Sequence, residues 1–130
     1  MYKIDKTDYG FKLAFRDFIE PKEMQKWVED SKKILLSAPN TFHIFVDMRS
    51  LKPLSPESQQ FMQEGQKLYK QRGMTRSVVI LANPVIKMQF KRIAQETGIY
   101  QWERYVDESS TPNWESVGVD WLKNSKDPDK

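Results

Sequence analysis

Residues 41–58, TFHIFVDMRSLKPLSPES, decide how the rest of the chain is organised. The mostly apolar run from Phe42 to Val46 is typical of a buried strand, and it ends at Asp47. A loop then leads to Ser55-Pro56, which has the form of a helix start because serine is a favoured cap and proline suits the first helical turn. In open α/β sheets, ligands are bound where strands end and helices begin. The stretch therefore predicts the centre of a sheet and a candidate site beside it.

Upstream of this stretch, the pattern predicts two strands and a helix. Residues 2–7 and 11–15 alternate between apolar and polar side chains around the turn signal Asp8-Tyr9-Gly10, which predicts an antiparallel hairpin. Glu20-Pro21 then opens a helix with apolar residues at helical spacing, and Ala38-Pro39-Asn40 ends it.

Downstream, strands alternate with helices. A second helix runs from Ser55-Pro56 to Gly73, a strand covers residues 77–82, and Asn83-Pro84 opens a third helix that Gly98 ends. We expect a last strand at residues 100–106 and a final helix from Thr111-Pro112, so that all four helices would begin with an X-Pro pair.

This order predicts the α/β class: one domain with a mostly parallel five-stranded sheet, an N-terminal antiparallel hairpin and four helices. The strands at residues 42–47 and 77–82 should be central and adjacent, because they are apolar on consecutive residues. The domain is expected to span residues 1–123, followed by a polar tail at residues 124–130.

Composition limits the classes of function. The 130 residues contain no cysteine, which excludes disulfides, thiolate metal sites and thiol nucleophiles. No apolar run approaches the length of a membrane span, and the first ten residues lack the apolar core of a signal peptide. These features predict a soluble, cytoplasmic protein.

Positive charge is concentrated in one segment of the chain. Between Gly65 and Gln95 there are seven basic residues and no acidic ones. Either this is an ordinary solvated helix surface, or it is a basic face for an anionic partner. Nucleic acid is the least favoured partner because no nucleic-acid-binding motif accompanies the charge. The candidate basic surface comprises Lys67, Lys70, Arg72, Lys87 and Lys91.

Taken together, the order of elements and three motifs resemble the STAS domain family, the fold of anti-sigma-factor antagonists, and most closely its SpoIIAA-like branch. The motifs are VDMRSL at residues 46–51, RSVVILAN at residues 76–83, and RYVD at residues 104–107 followed by a tryptophan-bearing last helix. The resemblance covers most of the chain, from Tyr2 to Leu122. It implies a regulatory, protein-binding module.

In that family, a serine at the start of the second helix is phosphorylated by a partner kinase, and this controls binding. Alignment of VDMRSL without gaps places Glu57 at the position of that serine, and a shift of one residue would place Ser58 there. The family's glycine in this turn is absent. The SpoIIAA-like branch is also similar to CRAL-TRIO lipid-exchange domains, which implies an apolar ligand as an alternative.

Enzyme chemistry is not favoured by the remaining residues. Asp47 is interpreted as a strand end that accepts backbone hydrogen bonds in the following loop, and the lone His43 as a hydrogen-bonded residue of the sheet. The sequence has neither a Gly-x-Ser-x-Gly elbow nor a Gly-rich phosphate loop. We therefore expect no catalytic residue, no metal site and no cofactor.

Two hypotheses of function remain. The first is a non-enzymatic regulatory or protein-binding module that acts through the helix start, with an unidentified protein as partner. The second is a carrier or sensor of a small amphipathic anion such as a lipid. The candidate binding residues are Asp47, Ser55, Glu57, Ser58 and Asn83.

Overall fold

A computed structural model describes residues 1–130 and confirms the predicted α/β architecture. It contains five strands, four α-helices and one short 3-10 helix. In chain order these are β1 (Tyr2–Lys6), β2 (Gly10–Phe15), α1 (Pro21–Leu35), β3 (Phe42–Asp47), α2 (Pro56–Arg72), β4 (Met74–Leu81), α3 (Pro84–Thr97), the 3-10 helix (Tyr100–Trp102), β5 (Glu103–Asp107) and α4 (Trp114–Asn124).

The five strands form one sheet in which spatial order follows sequence order, β1-β2-β3-β4-β5. The β1–β2 pair is antiparallel, and the β2–β3, β3–β4 and β4–β5 pairs are parallel. The expected hairpin is thus confirmed. So is the adjacency of β3 and β4, with β3 in the middle of the sheet.

Helices cover both faces of the sheet, and they divide the core into two clusters. The larger cluster joins α1, α2 and α3 to one face, where β3 contributes Ile44 and Val46. The smaller cluster joins Trp121 and Leu122 of α4 to the other face, where β3 contributes Phe45. Successive side chains of a strand point to opposite faces, which explains why consecutive residues of β3 are all buried.

The starts of three helices agree with the sequence. The Ser55 Oγ accepts a hydrogen bond from the Ser58 backbone N–H at 3.2 Å, and the Asn83 Oδ1 accepts one from the Val85 N–H at 2.8 Å. Proline occupies the beginning of α1, α2 and α3. Gly73, with φ of 122°, ends α2 as predicted.

The predicted start of the last helix was wrong. Helix α4 begins at Trp114, and Pro112 precedes it in a turn that is closed by a 3.1 Å hydrogen bond from the Trp114 N–H to the Thr111 carbonyl. Proline with its fixed φ suits the second position of such a turn as well as it suits a helix start, so X-Pro alone does not distinguish them.

Two strand boundaries also differ from the prediction. The last strand begins at Glu103, because residues 100–102 form the 3-10 helix, with a 3.0 Å bond from the Trp102 N–H to the Ile99 carbonyl. The fourth strand begins three residues earlier than predicted, at Met74, directly after Gly73. None of the helices combines the length and the apolar character needed to cross a bilayer.

Candidate functional site

The loop between β3 and α2, residues 48–55, is fixed by backbone hydrogen bonds to the two neighbouring segments. The Met48 N–H donates to the Ile80 carbonyl of β4 at 2.8 Å. On the other side, the Asp17 N–H donates to the Ser50 carbonyl at 3.1 Å, and the Lys52 N–H donates to the Asp17 carbonyl at 2.9 Å. The loop therefore continues the sheet beyond the end of β3.

A side chain of α3 holds the end of the same loop. The Gln89 Oε1 accepts a 3.0 Å hydrogen bond from the Leu54 N–H, and its Nε2 donates to the Leu54 carbonyl at 3.2 Å. The Gln59 side chain also donates to that carbonyl, at 3.0 Å. Sequence analysis did not identify Gln89, because a glutamine on a helix carries no spacing signal that would link it to a loop 35 residues away.

All hydrogen bonds that the Asp47 carboxylate accepts come from Arg49. The Arg49 guanidinium donates two hydrogen bonds to the carboxylate, at 3.0 Å and 2.9 Å, and the Arg49 backbone N–H donates a third at 3.2 Å. Burial by itself would raise the pKa of Asp47, but the hydrogen bonds and charge of Arg49 hold it below its usual value. The Arg49 guanidinium also lies 4.2 Å from the centre of the Trp114 ring. The structural interpretation of Asp47 is confirmed, and its carboxylate is committed within the chain.

The helix start exposes only one of its three candidate residues fully. Ser55 is half-buried and caps α2, whereas Glu57 is exposed. Ser58 is completely buried, and its Oγ lies 3.5 Å from the Ile19 carbonyl. A binding partner can therefore reach Glu57, while Ser58 belongs to the core. Asn83 is half-buried and caps α3.

Three exposed apolar side chains lie at the same end of the sheet as this helix start. Phe18 follows β2 and is 63% exposed, while Val85 and Met88 lie in the first two turns of α3 and are 49% and 72% exposed. The carboxyl ends of parallel strands lie together at one end of the sheet. All three side chains therefore lie at the end that carries the loop. We call this set, with Ser55 and Glu57, the carboxyl-edge surface. The apolar spacing used to predict the helices identifies inward-facing residues, which is why it missed these three.

The candidate basic residues separate into two groups. Lys67, Lys70 and Arg72 are exposed on the second half of α2, and Lys70 approaches the Gly98 carbonyl at 3.4 Å. Lys87 and Lys91 lie on α3 beside β5, where they line a polar pocket of about 280 Å³ with Tyr105. The segment that is rich in positive charge is therefore spread over two neighbouring helices, α2 and α3.

His43 behaves as the sequence suggested. It is half-buried on β3, with its Nδ1 2.7 Å from the Thr75 hydroxyl. Burial, assisted by the positive charge of Arg76, lowers the pKa of its imidazole.

The interior contains a buried carboxyl group that sequence analysis missed. Glu103 is 4% exposed, and it accepts hydrogen bonds from the Ser77 hydroxyl at 2.9 Å and the Tyr105 hydroxyl at 2.6 Å. Burial outweighs these bonds and raises the pKa of Glu103 to about 7. It borders an apolar cavity of about 30 Å³ inside the larger cluster. That volume is close to that of one water molecule, whereas pockets for small ligands measure about 300–1,000 Å³.

Comparison with known protein families and with curated proteins found no match to this chain.

Proposed function

We propose that this chain is a non-enzymatic regulatory module of the STAS type, which binds a partner protein through the carboxyl-edge surface. The observation that carries the proposal is that three exposed apolar side chains, Phe18, Val85 and Met88, follow parallel strands at the end of the sheet where α2 begins. Exposed apolar groups with polar neighbours are typical of protein-binding surfaces.

The fixed loop supports this proposal. Hydrogen bonds with Asp17, Ile80 and Gln89 hold residues 48–55 on both sides. A surface that is already ordered loses little conformational entropy when it binds, so more of the contact energy appears as affinity.

Glu57 gives the surface a permanent negative charge at the helix start. The family resemblance places it where related proteins carry a phosphorylated serine, and a glutamate supplies one negative charge where phosphoserine supplies about 1.5 to 2. Because Ser58 is completely buried, it is not available to a kinase in the folded chain. We propose that binding through this surface is constitutive and is not regulated by phosphorylation of the turn.

The experiment compares Met88→Ser with Leu36→Ser. Both side chains are 72% exposed. Leu36, however, follows the end of α1 and lies near the amino ends of the parallel strands, away from the carboxyl-edge surface. Each variant is used as bait in the lysate of the native host, and bound proteins are quantified by mass spectrometry. We expect Met88→Ser to lose, by roughly tenfold, a protein that the wild type and Leu36→Ser both retain, because a buried methionine contributes about 1.5–3 kcal/mol to a contact.

Equal capture by all three baits would contradict the proposal. Native mass spectrometry of the purified protein tests the alternative in parallel. A tightly bound lipid that co-purifies with the chain would favour the carrier function instead.

A further inference from the structure

Strand β1 leaves one row of backbone groups without a partner in the sheet. The Arg16 N–H donates to the Met1 carbonyl at 2.8 Å, and the Thr7 N–H donates to the Gly10 carbonyl at 2.9 Å. In an antiparallel pair, hydrogen-bonding residues alternate with residues whose backbone groups point away. The odd-numbered residues of β1 therefore bond to β2, and Tyr2, Ile4 and Lys6 direct their N–H and C=O groups outward.

Apart from its charged side chains and its length of five residues, this strand has none of the features that usually protect a sheet edge. No helix, proline or bulge interrupts the β1–β2 register, which runs without a shift from Tyr2 to Lys6. At the other edge of the sheet, β5 is flanked by the C-terminal residues, where Asp127 pairs with Arg104 at 2.9 Å. The two edges are thus unlike, and β1 is the one open to another strand.

The sequence of β1, YKIDK, is complementary to itself when two copies run antiparallel about Ile4. In that register Lys3 of one copy lies opposite Asp5 of the other, and the reverse pair forms by symmetry. Lys3 and Asp5 are exposed and already lie 3.6 Å apart within one chain, on the same face of the sheet. Opposite charges that face each other across two strands stabilise the pairing, and like charges oppose it.

The backbone geometry agrees with the same register. The pairs Ile4–Ile4 and Tyr2–Lys6 would be the hydrogen-bonded pairs, because these residues direct their backbone groups outward. Lys3 and Asp5 would form the non-hydrogen-bonded pairs, in which side chains approach more closely. Backbone alternation thus allows this register, together with those shifted by two residues. The charge pattern favours this one, because the shifted registers would place Lys3 opposite Lys3 or Asp5 opposite Asp5.

A shallow surface groove beside the strand would be covered by the same contact. The groove lies between β1 and α1 and has a volume of about 320 Å³. Its lining is half apolar, with Tyr2, Ile4 and Ile34, and half charged, with Lys3, Asp30 and Lys33. A two-fold axis through Ile4 would bring the groove of each copy to face the other.

We propose that β1 is a self-association surface at which two copies of this chain pair antiparallel and join their sheets into one. The occupant is a second copy because the strand carries its own complementary charges in the required register. This surface is separate from the carboxyl-edge surface, so the two proposals stand or fall independently.

The test uses two single variants, Asp5→Lys and Lys3→Asp. The first places lysine opposite lysine in both symmetric pairs, and the second places aspartate opposite aspartate. Mixing the two restores two opposite-charge pairs in a heterodimer. Mass is measured over a concentration series by light scattering after size exclusion and by sedimentation velocity. Glu64→Lys, at an exposed position of α2 that forms no ion pair, matches the charge change of Asp5→Lys as the control.

We expect the wild type and Glu64→Lys to dimerise, each single variant to weaken the dimer by roughly tenfold or more, and the mixture to recover it. Circular dichroism should show that every variant is folded, since both mutated side chains are exposed. A wild type that is monomeric at every concentration, a dimer that survives both single variants, or a mixture that fails to recover would each overturn the proposal. In the first case the edge would be open to a strand from another protein instead.

Discussion

At the scale of single residues, Glu103 is the side chain whose environment departs most from what its chemistry prefers. It is buried in the larger cluster, and both of its hydrogen-bond partners, Ser77 and Tyr105, are neutral. No cation lies within ion-pair distance of it. A buried carboxylate without a cation is costly, so the protonated form is favoured in the folded chain.

The raised pKa of Glu103 makes folding stability depend on pH in a defined direction. In the unfolded chain the carboxyl titrates near 4.5, and in the folded chain near 7. Between these values the folded state binds the additional proton, so the free energy of unfolding falls as pH rises through this window and is flat above it. The total loss is on the order of 3 kcal/mol.

Glu103→Gln should remove this dependence, because an amide does not titrate. Relative to the wild type, we expect the variant to gain on the order of 3 kcal/mol between pH 4.5 and pH 8, measured by urea unfolding at several pH values. The comparison cancels the opposing contribution of His43, which both proteins share. Exposed Glu64→Gln serves as the control and should follow the wild type. Parallel curves for the wild type and Glu103→Gln would show that Glu103 is ionised in the folded chain.

At the scale of elements, the sequence predicted helix starts that depend on neighbouring residues, but it did not predict boundaries and contacts that depend on residues far away in the chain. Ser55-Pro56 and Asn83-Pro84 begin helices because a cap and a proline act within one turn. The identical form of Thr111-Pro112 instead makes a turn, and the choice depends on how α4 packs against the second face of the sheet. The Gln89 contact with Leu54 and the burial of Glu103 are long-range features for which the sequence carries no periodic signal.

The crossing of α1 and α2 depends on the absence of a side chain at Gly65. A Cβ at this position would overlap the ring of Trp27, which also packs at 5.2 Å from Phe15 and stacks at 5.8 Å on Tyr69. Gly65→Ala should therefore destabilise the protein by about 1–2 kcal/mol, since overpacking a core costs about 1–3 kcal/mol and this ring is held on two sides. The gain in helix propensity, up to about 1 kcal/mol, offsets only part of the loss.

Denaturant unfolding measures this effect, and Gln60→Ala, at an exposed position of the same helix, provides the control. The control should match the wild type or exceed it slightly. If Gly65→Ala were as stable as the control, the close approach of the two helices would not be required.

At the scale of the whole molecule, the two core clusters share the same strands. In β4, Val79 and Leu81 belong to the larger cluster, while Val78 and Ile80 belong to the smaller one. Loss of either cluster would expose one side of strands whose other side carries the other cluster. We therefore expect the chain to unfold as a single cooperative unit.

Two single-tryptophan proteins test this cooperativity, one retaining Trp27 in the larger cluster and the other retaining Trp121 in the smaller one. The remaining tryptophans are replaced by phenylalanine. In each protein the fluorescence transition should coincide with the circular dichroism transition in urea, with the same midpoint and slope. If the Trp121 fluorescence changed at lower urea than the dichroism, α4 would be a separate, less stable layer.

The late position of α4 in the chain has a consequence for synthesis. Because strand order follows sequence order, each new strand and helix can pack beside the previous ones as they leave the ribosome. Phe45, Val78 and Ile80 cannot be covered in this way, since Trp121 and Leu122 follow all five strands in the chain. Until α4 emerges, the nascent chain therefore presents an uncovered apolar sheet face to the cell. Messages truncated before α4 should therefore yield polypeptides that aggregate or remain bound to chaperones.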